Sequence, residues 1–392
     1  MLPLKGITVV ALEQAVAAPF ATRQLADHGA RVIKIERPGS GDFARAYDTT
    51  VKGMASHFVW VNRSKESLTL DVKQPQAKAV LDRLLQKVDV FVQNLAPGAC
   101  DRLGLGTAEL RGRYPRLIVC NVSGYGPAGP YRDRRAYDML VQSEAGLVAL
   151  TGTEETPSKV GISISDIAAA MYAYSGILTA LLVRKETGQG TAMDISLLDS
   201  IGDWMGYAAY YTEYGGSAPP RAGAKHAAIA PYGPFHCGDG KEVILAVQNE
   251  REWSRFCDKV LRRPELKDDA RFVTNPFRVK NRVVLEEIIH KVFAGLSAAE
   301  AMQRLDDAQI AYARLNSVEE FLEHPQLKAR ERWTEVDSPV GPLRALVPPV
   351  QMEGAETFMG KIPALGEHTN SILQELGFDS ETISAWRAMK ML

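Results

Sequence analysis

One aspartate stands alone in a long uncharged stretch of this 392-residue chain. Asp166 is the only formal charge between Lys159 and Arg184, and a run of apolar and small residues, 167–183, follows it as a predicted helix. The run before it, 160–165, alternates apolar and small polar residues, which predicts a short strand. Free backbone N–H groups and the helix dipole would keep a carboxylate at the helix start ionised, as a nucleophile requires. Aspartate is also a common helix cap without any chemical role.

Cationic side chains follow several predicted strands in the first half of the chain. Arg37, Lys73 and Arg102 come after the second, third and fourth strands, and further arginines lie between 132 and 135, beyond the fifth. A single lysine or arginine is usually a solvated surface charge. Because these residues follow four different strands, and because guanidinium and ammonium groups bind phosphate oxygens, we predict a ligand with several phosphates.

The elements that must position these residues alternate between strand and helix. Strands are predicted over 7–12, 31–36, 67–72, 88–94 and 116–126, with helices over 19–28 and 74–88. This alternation predicts an α/β fold with a Rossmann-like parallel sheet, whose ligands lie beyond the carboxyl ends of the strands. The turn after the first strand reads EQAVAAP and lacks the GxGxxG pattern, which argues against a nicotinamide enzyme.

The composition of the chain changes after residue 214. A long helix is predicted over 199–214, and Gly, Pro and Ala then dominate residues 215–240. A hairpin across Gly238-Asp239-Gly240 and helices at about 250–261, 280–294 and 297–310 follow. We therefore predict three parts: a large α/β domain (1–214), a smaller α+β domain (215–330), and a C-terminal segment (331–392). The last segment, with a final helix near 367–389, is expected to return to the large domain.

Bulk properties narrow the range of functions. The formal net charge of -1 argues against a nucleic-acid surface or a polybasic membrane contact. The four cysteines form no CxxC pair and no apolar leader follows the first methionine, so we expect a cytoplasmic protein without a metal site. The apolar run 167–183 is shorter than a ~20-residue membrane span, which favours a buried core helix. Small molecules and further copies of the chain are the expected partners.

Several motifs together resemble one protein family. They are LADHGARVIKIERPGSGDFAR (25–45), NRSKESLTLDVK (62–73), QNLAPGACDRLGLG (93–106), PRLIVCNVSGYGPAGPY (115–131), AYDMLVQSEAG (136–146) and SDIAAAMYAYSGILTALLVRKETGQG (165–190). In this order, over nearly the whole chain, they resemble the class III CoA-transferases, the CaiB/BaiF group. Through RAGAKHAAIAPYGPF (221–235) the chain is most similar to transferases of short dicarboxylates, such as mesaconyl-CoA and itaconate CoA-transferases.

This resemblance implies a set of site residues and partners. The family nucleophile falls on Asp166, and the coenzyme A thioester is a co-substrate rather than a permanently bound cofactor. The positions that hold CoA in the family fall on Gln14, Val16, Ala17, Arg37, Leu70, Lys73, Asn94, Leu95, Arg102, Arg135 and Tyr137. The resemblance also implies an interlocked homodimer.

The implied reaction moves CoA between C4–C5 dicarboxylates such as succinate, itaconate, mesaconate or citramalate through an aspartyl-CoA thioester. Arg221, Lys225 and His226 are candidates to hold the distal carboxylate of the substrate. The expected oxyanion donors are N–H groups at the helix start after Asp166 or in the loop 215–224.

Two other functions remain open from the sequence. One is a racemase or epimerase of 2-methylacyl-CoA with the same fold, which in this family needs a histidine beside the aspartate. Tyr137 occupies that position, and a phenol is a poor base at neutral pH. The other is a catalytically silent CoA-binding protein, against which the intact Asp166 counts.

Overall fold

The structure is a computed structural model that describes residues 1–392. The strands are β1 (Thr8–Leu12), β2 (Arg31–Glu36), β3 (Lys65–Thr69), β4 (Val90–Gln93), β5 (Ile118–Ser123), β6 (Ala192–Ser196), β7 (Tyr232–His236), β8 (Glu242–Ala246), β9 (Ala311–Arg314), β10 (Trp333–Val336) and β11 (Leu343–Leu346).

The helices follow the same order along the chain. They are α1 (Ala17–Asp27), α2 (Ser56–Val61), α3 (Ala77–Leu85), α4 (Ala99–Arg102), α5 (Thr107–Arg113), α6 (Asp138–Glu144), α7 (Leu147–Leu150), α8 (Ile164–Thr187), α9 (Leu197–Trp204), α10 (Gly206–Gly215), α11 (Glu250–Arg255), α12 (Asn275–Lys280), α13 (Arg282–Phe293), α14 (Ala298–Ala308), α15 (Val318–Leu322), α16 (Pro325–Ala329), α17 (Thr369–Glu375) and α18 (Ser380–Ala388). Single turns of 3-10 helix cover Phe43–Ala46 and Pro264–Lys267, and a π-helix covers Phe256–Leu261.

Strands β1 to β6 form one parallel sheet in the order β3-β2-β1-β4-β5-β6. Val9 of β1 pairs with Val32 of β2 on one side and with Val90 of β4 on the other. The apolar run of β1 is buried, as expected for a strand covered on both faces. The predicted Rossmann-like parallel sheet is therefore confirmed. Its strand order reverses between β1 and β4, so the loops after these strands diverge and leave a crevice at the carboxyl edge of the sheet.

Three predicted elements differ from the structure. Residues 160–163 form no strand, because the N–H of Val160 donates to the side chain of Gln142 (3.0 Å) instead of to a neighbouring strand. The helix predicted over 199–214 is interrupted at Met205, between α9 and α10. The final helix is divided into α17 and α18 by a turn at Gly377, whose φ of 84° suits glycine better than any other residue.

Helix α8 is longer than predicted, at 24 residues. It is long and apolar enough to cross a membrane by length and composition alone, so the length argument for a core helix was wrong. Its buried residues are mostly alanines, among them Ala169 and Ala173, and α8 packs against α1. Small side chains let two helix backbones approach closely, which is why this face carries alanine. These contacts place α8 beside the sheet-bearing core.

The chain divides into two compact units. Unit 1 comprises Met1–Ala145, Val160–Met205 and Leu327–Leu392, and unit 2 comprises Gly146–Lys159 and Gly206–Gln326. Residues 146–159 and 206–214, assigned above to the large domain, thus group with unit 2. Unit 2 contains the antiparallel sheet β7-β8-β9 and its own apolar core. In unit 1, Leu373 and Trp386 of the C-terminal helices lie in the same core as Leu68 of β3.

Candidate active site

Asp166 is the third residue of α8, inside its first turn. It was expected to open the helix as its cap, but α8 begins two residues earlier, at Ile164, and the cap position is Ser163. The side chain of Ser163 makes no capping hydrogen bond. Asp166 is partly buried. A carboxylate in the first turn remains reachable from outside the helix while its surroundings are already poorly hydrated.

The cap of α8 comes instead from Asp138, the first residue of α6. Its Oδ1 accepts hydrogen bonds from the backbone N–H groups of Ser165 (2.8 Å) and Asp166 (3.3 Å). Its Oδ2 accepts one from Nε2 of Gln142 (2.7 Å), a fully buried side chain. Asp138 therefore stabilises the helix start through a contact between segments 27 residues apart, rather than through a local cap.

The backbone N–H groups in the first turn of α8 are already bonded within the protein, so they are not open to a ligand. The N–H of Ile164 donates to Ile162 O (2.8 Å) and the N–H of Ile167 donates to Ser163 O (2.9 Å). Together with the bonds of Ser165 and Asp166 to Asp138, they occupy all four amides of the first turn. The expectation that these amides stabilise an oxyanion was therefore wrong for this structure.

The electrostatic prediction for Asp166 was also wrong in its direction. Burial, and then the like charge of Asp138, raise the pKa of Asp166 to about 7. The helix dipole was expected to favour the ionised form, but the charge of Asp138 already neutralises the positive end of α8. A carboxyl group of this kind is close to half ionised at neutral pH. Its anion is poorly solvated and therefore more reactive toward an electrophilic carbonyl.

Exposed aromatic side chains lie around this carboxyl group. Burial raises the pKa of Tyr47 to about 12, with further contributions from the charges of Asp42, Asp166 and Tyr137, so these groups share one electrostatic neighbourhood. Tyr47 is 48% exposed and Tyr137 is 63% exposed. The ring of Tyr47 also meets Phe43 at 5.7 Å and His57 at 5.5 Å between centroids. Apolar yet accessible surface of this kind suits the arm of an acyl-CoA.

Two of the predicted CoA contacts meet where the strand order reverses. The N–H of Gln14, after β1, donates to Oδ1 of Asn94, after β4 (2.8 Å). Nδ2 of Asn94 donates in return to Gln14 O (2.9 Å). Doubly wound sheets bind their ligands at this crevice. The pair thus fixes the two loops that border the predicted CoA site.

The remaining uncharged CoA candidates are more buried. Val16 and Ala17 lie at the start of α1 and are 3% exposed. Leu70 follows β3 and is buried, and its N–H donates to Glu36 O (2.9 Å). Leu95 is partly buried, and its N–H donates to Oε1 of Gln93 (2.8 Å). With such burial, these residues can offer a ligand backbone atoms or small apolar patches.

The four cationic candidates lie on the surface of unit 1. Arg37 and Lys73 follow β2 and β3, Arg102 ends α4 after β4, and Arg135 precedes α6, and all four side chains are exposed. Since parallel strands end at the same edge of a sheet, three of these cations come from that edge. Solvated cations of this kind can bind phosphate groups at the mouth of a site.

The candidates for the distal carboxylate are engaged elsewhere in unit 2. Arg221 donates to three backbone carbonyls, among them Thr153 O (2.7 Å) and Glu154 O (2.6 Å). Nζ of Lys225 is paired with Oε2 of Glu286 (2.6 Å). Nδ1 of His226 accepts the N–H of Ala228 (3.1 Å). In this structure all three side chains therefore stabilise unit 2 itself.

Comparison with known proteins identifies the family. The family described as CoA-transferase family III matches residues 4–369. The chain belongs to this family. It is 34% identical over 380 residues to succinyl-CoA:glutarate CoA-transferase of Mus musculus, covering 96% of this chain and 87% of the mouse protein. It is 30% identical to succinyl-CoA--D-citramalate CoA-transferase of Chloroflexus aurantiacus, covering 100% of this chain and 98% of the relative.

A solved structure agrees with this assignment. The CoA-transferase superposes on a CAIB/BAIF family protein from Brucella suis with a TM-score of 0.82 and 31% identity, over 95% of this chain and 99% of that one. The resemblance to the class III CoA-transferases is therefore confirmed, as are the fold class and the assignment as a CoA-transferase that uses an acyl-CoA.

Sequence reasoning missed Asp138, Gln142 and Tyr47 of this CoA-transferase. Asp138 and Gln142 lie in the quoted motif AYDMLVQSEAG, from which only Tyr137 was selected. Their spacing of four residues places both side chains on one face of a helix, a signal that the two could hydrogen-bond to each other. Tyr47 carried no pattern of its own, because only the fold brings it near Asp166.

Proposed function

We propose that this CoA-transferase moves CoA between short-chain C4–C5 dicarboxylates, such as succinate, glutarate, itaconate, mesaconate or citramalate, through an aspartyl-CoA thioester on Asp166. The observation that carries the proposal is the place of Asp166, a partly buried carboxyl group in the first turn of α8 whose backbone N–H donates to Asp138. With a pKa of about 7, raised by burial and by Asp138, a substantial fraction of this carboxyl group is an anion at neutral pH, and that anion is weakly solvated, as a nucleophile requires. The relatives named for succinyl-CoA with glutarate or D-citramalate support the substrate class.

The reaction needs four displacements. The carboxylate of Asp166 attacks the carbonyl carbon of the acyl-CoA, and the C–S bond breaks to give a mixed anhydride and the CoA thiolate. The thiolate attacks the Asp166 carbonyl and releases the first acid, leaving aspartyl-CoA. An incoming carboxylate attacks this thioester and expels the thiolate again. The thiolate then attacks the new acyl carbon and returns Asp166 as a carboxylate.

The roles of the surrounding residues follow from their positions. The pair Gln14–Asn94 would border the CoA arm, together with the backbone of Val16 and Ala17. The exposed cations Arg37, Lys73, Arg102 and Arg135 would bind the phosphates. Both nucleophiles are anions, so the cycle needs no general base, and Tyr137 would border the acyl group. The oxyanion donors are left to amides outside the first turn of α8.

We also propose that the protein is a cytoplasmic homodimer. Within unit 1, α8 exposes Leu182 (69%) and Val183 (49%), and within unit 2, α10 exposes Tyr210 (70%) and Tyr214 (81%). Apolar surface of this extent on regular helices is typical of a protein–protein interface. Light scattering after size exclusion tests the dimer, and a monomer mass would contradict it.

The substrate proposal is tested by incubating the protein with succinyl-CoA and a panel of C2–C6 dicarboxylates, with CoA esters read by mass spectrometry. We expect new thioesters with the C4–C5 acids and none with Asp166→Asn. Hydroxylamine added during turnover should convert Asp166 to its hydroxamate. An unmodified Asp166 peptide during active turnover would contradict the acyl-enzyme. Deuterium uptake at Cα of a 2-methylacyl-CoA without transfer would favour the racemase instead.

A further inference from the structure

A group of four buried charges lies beneath the loop that follows β1. The four-charge cluster consists of Glu13, Lys34, Asp42 and Lys65, which are at most 3% exposed. Nζ of Lys34 lies 2.8 Å from Oδ2 of Asp42 and 3.3 Å from Oε1 of Glu13. Nζ of Lys65 lies 2.7 Å from the same Oε1 of Glu13. The cluster contains two cations and two anions, so its charges balance.

Stability alone is a weak explanation for such a cluster. Removing charged groups from water is costly, and replacing a buried ion pair by apolar residues is often neutral or stabilising. Burial works against the charge of Lys34, yet the carboxylates of Glu13 and Asp42 raise its pKa, so Lys34 remains charged. A functional role for these ionised groups must therefore lie in the contacts that they make outside the cluster.

Asp42 accepts a hydrogen bond from Ala15, whose backbone conformation is unusual. Its Oδ1, the oxygen that does not face Lys34, accepts the N–H of Ala15 (3.0 Å) and the N–H of Ala44 (2.9 Å). Ala15 has a φ of 60°, in the left-handed region that costs an L-residue with a Cβ roughly 1–2 kcal/mol. The hydrogen bond from Ala15 to a charged acceptor offsets this cost.

The same contacts join two loops of the active site. The N–H of Phe43 donates to Oε1 of Gln14 (3.2 Å), next to the bond between Ala15 and Asp42. The first loop contains Gln14, which is bound to Asn94, and the second leads to Tyr47 near Asp166. The cluster is therefore attached at Asp42 to the loop after β1, which borders the crevice, and to the segment that leads to Tyr47.

We propose that Asp42, held in place by Lys34, is a positioning residue that fixes the left-handed backbone at Ala15 and so shapes the loop that receives the acyl-CoA. This inference rests on the proposed function, because the assignment of Gln14, Val16 and Ala17 to CoA does. It assigns Asp42 no contact with substrate. Lys34 pairs with the carboxylate of Asp42, and Glu13 and Lys65 complete the buried network around Lys34.

Two double variants separate the acceptor oxygen from the charge. The amide double variant, Lys34→Met with Asp42→Asn, removes one cation and one anion, leaves the Glu13–Lys65 pair, and keeps a side-chain oxygen for Ala15. The alanine double variant, Lys34→Met with Asp42→Ala, removes the same charges and also the oxygen. The matched control is Asp27→Asn, which disrupts the buried Asp27–Arg63 pair (2.7 Å) elsewhere in unit 1. This control shows how a loss of stability alone changes CoA binding and turnover.

Several quantities are measured for each variant. They are the affinity for CoA by calorimetry, kcat and KM for succinyl-CoA, the melting temperature, and the rate of hydrogen exchange of residues 13–20. We expect the alanine double variant to have a kcat/KM about 10-fold or more below that of the amide double variant, mainly through KM, because the Ala15 amide loses its acceptor. Its amides at 13–20 should exchange faster. The alanine double variant should also melt at a lower temperature, because the amides of Ala15 and Ala44 lose their acceptor, but its KM should rise more than that of Asp27→Asn for the same loss of melting temperature.

Equal kcat/KM and equal exchange in the two double variants would overturn the proposal. So would a rise in KM that follows the loss of melting temperature in all variants, Asp27→Asn included. A different outcome would contradict the proposed function: the wild-type protein would bind CoA but transfer none. In that case the affinity for CoA and the exchange of residues 13–20 still decide whether Asp42 positions the loop.

Discussion

Two regions of unit 1 bury carboxyl groups, but one pairs them with cations and the other places a second carboxylate beside the buried group. In the four-charge cluster, Glu13 and Asp42 face the ammonium groups of Lys34 and Lys65 at 2.7–3.3 Å. At the first turn of α8, Asp166 has another carboxylate, Asp138, as its charged neighbour. The pKa of Glu13 is lowered by Lys65 and Lys34 in spite of its burial, whereas the pKa of Asp166 is raised to about 7.

The difference teaches what separates a structural carboxylate from a reactive one. Burial penalises the anion in both regions. A nearby cation offsets that penalty and leaves a stable anion whose oxygens are all engaged. Without a nearby cation, the desolvation penalty of the buried anion is not offset. Forming a bond to carbon removes the charge and therefore removes this penalty. Substitutions in the two regions should therefore have different consequences, of which the loss of the reactive carboxylate is the largest.

Removing the uncompensated carboxylate should have the largest effect. Asp166→Ala is expected to lower CoA exchange by about 10⁴-fold or more, because it removes the only proposed acyl acceptor. The affinity for CoA, measured by calorimetry, should change little. Asp82→Ala, which removes a partly exposed aspartate on α3, is the control. Residual exchange well above this level would remove Asp166 from the mechanism.

Removing a compensating cation should reduce stability instead. Lys65→Met leaves Glu13 and Asp42 with Lys34 alone, so the free energy of unfolding should fall by about 3–5 kcal/mol. Glu13→Gln combined with Lys65→Met restores the charge balance and should recover most of the loss. Urea denaturation followed by fluorescence measures both variants. Equal destabilisation in the single and double variants would show that charge balance is not what stabilises the cluster.

Asp166 should cost stability at high pH. Since its folded-state pKa of about 7 lies above the ordinary value, its contribution is intact below about pH 4 and is lost as pH rises toward 7. Asp166→Asn should therefore be more stable than the wild type at pH 8, by on the order of 2 kcal/mol after allowing for partial exposure. The two proteins should unfold alike near pH 4. A stability difference independent of pH would contradict the raised pKa.

The smallest effect concerns the pH profile of exchange. Asp138→Asn removes the like charge beside Asp166 but keeps an oxygen for the amide of Ser165. The acid limb of kcat/KM should move to lower pH by roughly 0.5–1 unit, since burial, the larger cause, remains. Steady-state rates between about pH 5 and 8 measure the shift. An unmoved limb would mean that Asp138 acts on α8 only through its hydrogen bonds.

The sequence allowed much of the fold to be predicted. The alternation of apolar runs and helical segments is a local property, and β2 was predicted over its full length as Arg31–Glu36. The interruptions at Met205 and Gly377 were missed, since apolar periodicity continues through a bend. At 160–165 the opposite error occurred, because a strand was predicted where the structure has none. Alternation over a few residues predicts a strand only where a neighbouring strand supplies hydrogen bonds, and none is paired there.

What the sequence determined by itself was the alternation of strands and helices through the first five strands of the sheet, the family, and the solitary position of Asp166 among uncharged residues. Side-chain type and spacing are sufficient for these, because they act over one or two turns of chain. Only the tertiary structure decided that Asp138, 28 positions away, caps the helix, and that burial, together with Asp138, raises the pKa of Asp166. Electrostatic energies depend on distance in space and on burial, and neither quantity is a function of distance along the chain.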